Sequence, residues 1–581
     1  MKIKHFFGLA VIAAMTASCS SNEDLGNPGS GTNEAGVGYA TFTINLPSVG
    51  GTRAVDAGGA EMNEGTAEEY AVKSATALIF QKYGADEGSY KFVESVTLPI
   101  DGWTDDPADG ITTTSKKLVA KLTNVDTKND YSVLILLNNK NVNLPTVGQS
   151  YNDWNSKNIL TLSVTNWAGS DGFYMANAPL KGTTSPTTLV NIDNSKIYPT
   201  EEKAKTLESA ATVYVERGVA KMTVADPGTI TVKDKATSVD TKSEVTFSKW
   251  ALDITNKKTF AVHNIDGLKS DFGDIWKTDP SNRFIGTNNR VYWGKDPNYD
   301  NKDLKLTDKD AERKAEFNFI TTTSEINKDF TNATITNPVY CLENTFNLEN
   351  MYQGQTTRVI FKATYAPKAD DTAGTSLADA DGTFYTIGNM TTILNTEKLK
   401  AAVNAVATPV LPTGYTIDYT NFKTKEGSHV ITLADIKNAT GTVLVGATPY
   451  SIGTGSMTGD EIVADINAKL GLKDGRDEAK VGINTYAKGV TYYIARVKHF
   501  GDALTEWHSG EAYNAENGKY LGRYGMLRNN WYELKVGKVY GPGYPGVPPV
   551  DPTLPDDENE KYLSVSVKIL SWAKRSYTTD L

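Results

Sequence analysis

Apolar and polar residues alternate over many short segments of this chain, and the stretches between them are rich in Gly, Asn, Asp and Thr. Successive side chains of a strand point to opposite faces, so this alternation predicts half-buried strands. The apolar face of the first strand consists of Ala40, Phe42, Ile44 and Leu46. Further strands are predicted at Ala75–Lys82, Tyr90–Leu98, Lys116–Thr123, Tyr131–Asn138, Thr212–Val224, Val245–Ile254, Thr356–Tyr365, Val490–Val497 and Trp531–Tyr540.

Two segments, Asn395–Val406 and Asp460–Leu470, have the period of an amphipathic helix. Both are short enough to be decorations packed on a sheet. The chain has 581 residues, which is too long for one core at about 100–200 residues per domain. No internal repeat indicates a propeller or a solenoid. The predicted fold class is therefore mainly β, with two β-sandwich domains in tandem and a few short helices.

The N-terminus has the layout of an export signal. Lys2 and Lys4 precede the apolar run Phe6–Met15, and two small residues then lead to Cys19. The small-small-Cys ending resembles a bacterial lipobox, in which removal of residues 1–18 leaves the cysteine as a lipidated N-terminus. Ordinary signal cleavage beside an incidental cysteine is the alternative.

Arg53 is the only arginine before Arg217, and it lies in a Gly-rich loop directly after the first strand. An Arg-specific protease would find one early target there and would leave Ala54 as the new N-terminus. Such a cut would detach residues 19–53, including the first strand, from the rest of the chain. An ordinary surface arginine is the alternative interpretation.

The C-terminus combines a spacer with one more strand. Residues 541–555 contain six Pro and three Gly, a composition that favours an extended linker. After an acidic stretch, the apolar residues of the last strand are Leu563, Val565, Val567 and Ile569. At ~3.1 Å per residue, the segment 541–560 would reach roughly 60 Å. The strand is therefore expected to be able to leave its own molecule.

These two ends suggest one mechanism. Removal of the first strand would expose an apolar groove with unpaired backbone groups, and such a groove invites another strand. The last strand matches the first in the number and period of its apolar residues. Insertion of one molecule's tail into the next does not close on itself, so it would build a filament.

Charge and candidate chemistry exclude several function classes. Lys and Arg total 59 against 69 for Asp and Glu, which gives a net charge of −10, so nucleic acid is not an expected partner. The histidines show no zinc-site spacing, and no phosphate-binding loop or nucleophile elbow is present. We expect no enzymatic activity, no cofactor and no metal. Trp276, Trp293 and Trp507 lie in polar surroundings and are candidates for a sugar-stacking platform.

Several motifs together resemble one family. They are the Cys19 and Arg53–Ala54 segments, the terminal strand, and the segments Val213–Lys221, Trp250–Lys257, Tyr340–Thr345, Gln355–Lys362 and Arg528–Tyr532. With these features the chain resembles the type V pilins, the fimbrilins of Bacteroidota, and within them the Mfa-like short-fimbria major subunits.

The resemblance implies a transthyretin-like fold for two sandwiches, at residues 54–262 and 263–540, followed by a linker and donor strand at 541–581. It implies an outer membrane lipoprotein precursor with palmitate at Cys19, cleavage at Arg53 and polymerisation into an extracellular adhesive fimbria. Cys341 would be a buried free thiol. The implied partners are copies of the chain, anchor and tip subunits, an Arg-specific protease, and host or bacterial receptors. The alternative is a monomeric glycan-binding or fimbrial tip adhesin lipoprotein.

Overall fold

The computed structural model describes residues 30–47, 62–63, 65–101, 103, 105–106, 111–112, 115–181, 186–266, 284, 290–299, 303–331, 337–388, 392–424, 427–472, 482–500, 506–508, 510–511, 519–558 and 563–572. The predicted lipidation residue Cys19 and the predicted processing residues Arg53 and Ala54 lie outside these residues.

The described chain is mainly β, as its sequence predicts. The strands of the first part are β1 Gly38–Asn45, β2 Met62–Asn63, β3 Ala75–Gln81, β4 Lys91–Leu98, β5 Asp105–Asp106, β6 Ile111–Thr112, β7 Ser115–Leu122, β8 Tyr131–Leu137, β9 Ile159–Thr161, β10 Met175–Asn177, β11 Leu180–Lys181, β12 Pro186–Thr187, β13 Val190–Ile192, β14 Ile197–Tyr198 and β15 Ala211–Arg217. Those that follow are β16 Val219–Val224, β17 Thr229–Lys233, β18 Asp240–Asp253, β19 Thr255–Asn256, β20 Lys258–Phe260, β21 Phe317–Asn318, β22 Val339–Leu342, β23 Arg358–Ala366, β24 Phe384–Ile387, β25 Tyr415–Ile417, β26 Gly427–His429, β27 Ile436–Asn438, β28 Pro449–Ile452, β29 Gly455–Thr458, β30 Ile483–Tyr486, β31 Val490–Arg496, β32 Asn530–Val539 and β33 Leu563–Trp572. The helices are α1 Ala67–Tyr70, α2 Tyr151–Lys157, α3 Glu201–Thr206, α4 Asp310–Glu316, α5 Thr396–Ala407, α6 Thr420–Thr424 and α7 Gly459–Lys469.

The first sheet runs in the order β14-β1-β15-β10-β8-β3-β4. In addition, β7 pairs with β1, and β13 pairs with β8. Strand β8 is buried on both faces, which explains its continuous apolar sequence. The first core takes its side chains from β1, β3, β8 and β15 and from Trp167. Apolar packing around this sheet stabilises the first part of the chain.

Two further sheets face each other across a second core. One runs β2-β33-β32-β16-β22 and the other β17-β18-β23-β31. Their shared core includes Met222 of β16, Trp250 of β18, Phe361 of β23, Tyr493 of β31 and Leu534 of β32. This arrangement of two sheets over one core is a β-sandwich.

The change from the first sheet to the second comes at Gly218, and not near residue 262 as expected. The predicted strand Thr212–Val224 is in fact two strands, β15 in the first sheet and β16 in the second. A Cβ at Gly218 would lie 2.6 Å from the Trp167 ring, so the chain passes between the sheets where only glycine fits. Alternation predicts strands but does not say which sheet they join.

The two predicted helices form part of an inserted unit rather than decorations on a sheet. Strands β23 and β31 are antiparallel neighbours in one sheet. Residues 384–486, which lie between them in the sequence, form the insert. This insert has its own core, which includes Leu399 and Val403 of α5 and Ile462 and Ile466 of α7. The sequence showed the apolar face of each helix, but it could not show that the two faces share one core.

A buried ionic cluster lies where the two sheets meet. The Glu69 carboxylate of α1 and the Lys221 ammonium of β16 are both fully buried. Lys221 Nζ lies 2.7 Å from Glu69 Oε1. The hydroxyl of Tyr340 donates to the same oxygen at 2.6 Å, and the Glu69 carbonyl accepts from Arg217 Nε at 2.9 Å. The ammonium also lies 3.6 Å from the centroid of the Trp531 ring. Helix α1 thus ties the end of the first sheet to the second.

We predict that Ile462→Ala destabilises the insert by about 2–5 kcal/mol, because it leaves a cavity in a small core. Ile462 is fully buried. Hydrogen exchange should accelerate in α5 and α7 while β8 stays protected. Lys469→Ala, which breaks only an exposed pair with Asp465, is the control and should change stability little. Faster exchange throughout the chain would contradict a separate insert core.

We predict that Lys221→Met costs about 3–5 kcal/mol in the free energy of unfolding, because it removes the ammonium from a buried carboxylate. Urea denaturation measures the loss. The double variant Glu69→Gln with Lys221→Met should recover much of it, because the lone charge is then absent. A loss below about 1 kcal/mol for the single variant, as for an exposed pair, would contradict the cluster's role.

Candidate functional site

Strand β1 lies inside the first sheet. It pairs antiparallel with β7 along its whole length, from Gly38 opposite Leu122 to Asn45 opposite Ser115. On its other side it pairs in parallel with β15 and, at its start, antiparallel with β14. Removing β1 would therefore leave unpaired backbone groups on both sides of a gap. We name this gap between β7 and β15 the acceptor groove.

The side chains of β1 explain why the groove needs an occupant. The predicted apolar residues Ala40, Phe42, Ile44 and Leu46 are all at most 1% exposed. Thr41, on the opposite face, donates from its hydroxyl to the Ala204 carbonyl at 2.5 Å. Both faces of this strand are covered at this point, so its loss would expose core residues and backbone together.

Strand β33, the predicted donor strand, pairs with its own chain. It runs antiparallel to β32, from Leu563 opposite Val539 to Ser571 opposite Asn530. Among the described residues, the strand beyond it is the two-residue β2, which pairs in parallel at Met62 opposite Ser571. Along most of its length β33 is therefore the edge of the second sandwich, in contrast to the internal β1.

The register places the apolar positions of β33 opposite core residues of β32. Val567 lies opposite Leu534 and Ile569 opposite Tyr532, and both β32 residues are fully buried. Directly opposed residues of an antiparallel pair share a face. The alternation that suggested a donor strand also suits the place where β33 lies.

The Pro- and Gly-rich segment is not a free spacer, which corrects the expected reach of roughly 60 Å. We name residues 541–557 the strap, because most of them are buried or half-buried against the second sandwich. Tyr544 exchanges backbone hydrogen bonds with Tyr492 at 2.6 and 2.8 Å. The Arg358 guanidinium donates to the Pro548 carbonyl at 2.8 Å. The carbonyls of this segment accept hydrogen bonds from the body of the chain.

Two carboxylates fix the end of the strap. Asp556 is fully buried, accepts from the Thr356 hydroxyl at 2.6 Å, and lies 3.4 Å from Arg496 Nη1. Burial raises the pKa of Asp556 to about 6, although the Arg496 charge opposes this shift. Asp557 accepts from Arg523 Nη2 at 2.8 Å and from the Tyr524 hydroxyl at 2.6 Å. The sequence analysis missed this role, and the adjacent acidic residues after the linker were its only signal.

The structure keeps the two predicted strands apart. β1 belongs to the first sheet and β33 to the second. The two strands are therefore not alternative occupants of one site within this chain. The described chain resumes at Met62, alongside the end of β33, and α1 follows with its buried Glu69. The segment after the predicted cleavage position is thus placed between the tail strand and the junction cluster.

Other candidate chemistry proves to be structural. The Nδ1 of His263 lies 2.8 Å from Glu216 Oε1 in a buried group that includes Arg290. Burial opposes ionisation of Glu216, but the charges of Arg290 and His263 lower its pKa to about 2. Among the described residues, no group of His, Cys, Asp or Glu has the arrangement of a metal site. These contacts pair buried charges at the junction.

The proposed sugar-stacking residues do not form a platform. Trp293 is fully buried in a core with Phe284 and Phe500, so the expectation of an exposed ring is wrong for this residue. Trp507 is half-buried against another core, and Trp276 lies outside the described residues. Polar neighbours in sequence do not predict exposure, because tertiary packing covers the ring.

Two further observations bear on compartment and reactivity. Cys341 is buried, and burial raises its thiol pKa to about 12, which fits the inert thiol implied by the resemblance. Within the described residues no helix is long and apolar enough to cross a membrane.

Comparisons with solved structures give two relatives of low identity. A fimbrial assembly protein from Parabacteroides distasonis ATCC 8503 is 13% identical, with a TM-score of 0.22, and the match covers 38% of this chain and 65% of that one, just under two thirds. A DUF1812 protein from Bacteroides thetaiotaomicron VPI-5482, ascribed to polysaccharide binding, is 8% identical with a TM-score of 0.21, and the match covers 63% of this chain and 82% of that one. No curated protein matches the chain.

A family model matches the C-terminal part of the sequence. Residues 484–578 match the model described as "Major fimbrial subunit protein type IV, Fimbrillin, C-terminal". The matched region contains β31, β32, the strap and β33, which are the parts that hold the tail strand. This match confirms, for the C-terminal part of the chain, the resemblance to fimbrilin-type proteins found in the sequence.

Proposed function

We propose that this protein is a structural subunit of a cell-surface fimbria and that it polymerises by donating β33 to the acceptor groove of another copy. The observation that carries the proposal is the unequal position of the two strands. β1 is internal, so its removal opens a groove with two edges, whereas β33 is an edge strand that can leave without splitting its sheet.

Hydrogen bonding favours donation of β33 to a groove from which β1 has left. Within the described part of its own chain, β33 pairs along its length with β32 and, at two residues, with β2. In an emptied groove it would pair with β7 on one side and β15 on the other. The donated strand thus gains a second ladder, at a net ~0.5–1.5 kcal/mol for each hydrogen bond.

Apolar burial favours a filled groove over an empty one. Filling the groove would bury four apolar side chains in place of those of β1, a gross gain of roughly 6–12 kcal/mol. Ordering the backbone costs about 1–2 kcal/mol for each residue, but β33 is already extended in its own sheet. Much of the ordering cost has therefore been met before exchange.

Maturation precedes assembly in this proposal. The precursor is exported and lipidated at Cys19 as an outer membrane lipoprotein, and an Arg-specific protease cuts after Arg53. The cut leaves β1 attached only by non-covalent contacts, so an incoming strand can replace it. Until then the intact β1 blocks polymerisation, because the groove is full.

The assembled product is an extracellular filament of this chain with anchor and tip subunits. Exchange is head-to-tail, so it propagates instead of closing into a ring. The role is structural and adhesive, without catalysis, and receptors on host or bacterial surfaces are the further partners of the fimbria.

We predict that an Arg-specific protease converts a precursor beginning at Ser20 into filaments with Ala54 at the new N-terminus. N-terminal sequencing and electron microscopy measure the two products. Arg53→Ala should remain an uncut monomer, and a chain ending at Glu560 should be cut but should not polymerise, because it lacks β33. Filaments from either variant would contradict strand exchange.

We predict that a peptide with the sequence of residues 563–572 inhibits polymerisation of the cut protein, because it fills the acceptor groove. A peptide of residues 38–45 should inhibit likewise, since it restores β1. Light scattering during assembly measures the effect. The matched control is the first peptide with Val565→Asp and Val567→Asp, which places charges on the apolar face and should not inhibit. Equal inhibition by the control would argue against the groove.

A further inference from the structure

The strap is bound to the second sandwich along its whole length. Near its start, the hydroxyl of Tyr493 donates to the Gly541 carbonyl at 2.8 Å and that of Tyr486 to the Gly543 carbonyl at 3.0 Å. Near its end, Gln353 N donates to the Leu554 carbonyl at 3.0 Å. All these partners belong to the body of the same chain.

The strongest contacts of the strap stand at its C-terminal end, directly before β33. Asp556 and Asp557 reach Arg496 and Arg523, and three of these four side chains are at most 2% exposed. Pulling this end away would leave buried arginines without their carboxylates. Breaking a buried ion pair is costly, because it leaves an uncompensated charge. An edge strand, in contrast, leaves its sheet by breaking the hydrogen bonds of a single ladder.

We propose that the strap stays bound to its own subunit when β33 is donated, so that the donated strand departs from the Asp556–Asp557 end of the strap. The proposal rests on the proposed function of β33. It assigns the surface around this end of the strap as the place where a second copy of the chain docks its acceptor groove.

The consequence is a short connection between subunits. Five residues lie between Asp557 and Leu563, so the Cα atoms of these two residues are at most roughly 22 Å apart, at ~3.3–3.6 Å for each step. A free linker from residue 541 would reach several times further. A bound strap therefore fixes the spacing and orientation of neighbouring copies, while a released strap would give a loosely jointed filament.

Two engineered disulfides test the proposal in a chain that begins at Ser20. Tyr352→Cys with Pro555→Cys locks the strap, because these residues form an antiparallel bridge. Lys535→Cys with Ser566→Cys locks β33 itself, because these residues are opposed in the sheet. Opposed Cα atoms in antiparallel pairs are ~4.5–5.5 Å apart, which suits a disulfide. Mass spectrometry verifies each bond, and polymerisation after Arg-specific cleavage is followed with and without reductant.

With the strap locked, we expect filaments at a rate within about twofold of the reduced protein, since twofold is a small fraction of 1 kcal/mol. With β33 locked, we expect none until reductant is added. If the strap lock also blocks assembly reversibly, the strap must detach, and the further inference is wrong although strand donation stands. If the β33 lock polymerises while oxidised, strand donation itself is wrong.

Hydrogen exchange gives a second readout that needs no substitution. The backbone amides of Tyr544 and Asp556 donate to Tyr492 and Met351 within the same chain. Both amides should remain protected in the filament, as in the uncut monomer. Loss of their protection on assembly would overturn the proposal even if a disulfide failed to form.

Discussion

The structure depends on one requirement, that backbone N–H and C=O groups of a strand be paired wherever water cannot reach them. This requirement makes β1 and β33 unequal, although their apolar patterns match. β1 satisfies it through strands on both sides, whereas β33 lies at an edge and pairs along most of its length on one side. A groove emptied of β1 is therefore the more demanding site, and a strand with one free edge is suited to fill it.

Buried charges complement these ladders at the two places where the chain changes its course. Glu69 and Lys221 join the helix after β2 to the second sheet, and Asp556 with Arg496 holds the strap before β33. Such pairs contribute little net stability compared with apolar packing, but they are costly to break one partner at a time. They fix the two segments in which they lie.

Much of the fold could be predicted from alternation alone. Strands such as β8 and β23 appear where the period of two predicts them, and the two predicted helices of the insert begin within one residue of their predicted starts. The assignment of strands to sheets could not be predicted in this way. Gly218 separates two strands that looked like one, because the sharp approach to Trp167 is a contact between residues distant in sequence.

The sequence by itself determined the class of the fold, the two matched strands and the resemblance to fimbrilins, because period, composition and motif are local properties of the chain. Only the tertiary structure decided that the tail pairs with its own sandwich, that the strap is bound and that Trp293 is buried. The physical reason is that an extended segment has the same local pattern whether it is free or bound. Its state is set by the donors and apolar surfaces that distant residues present to it.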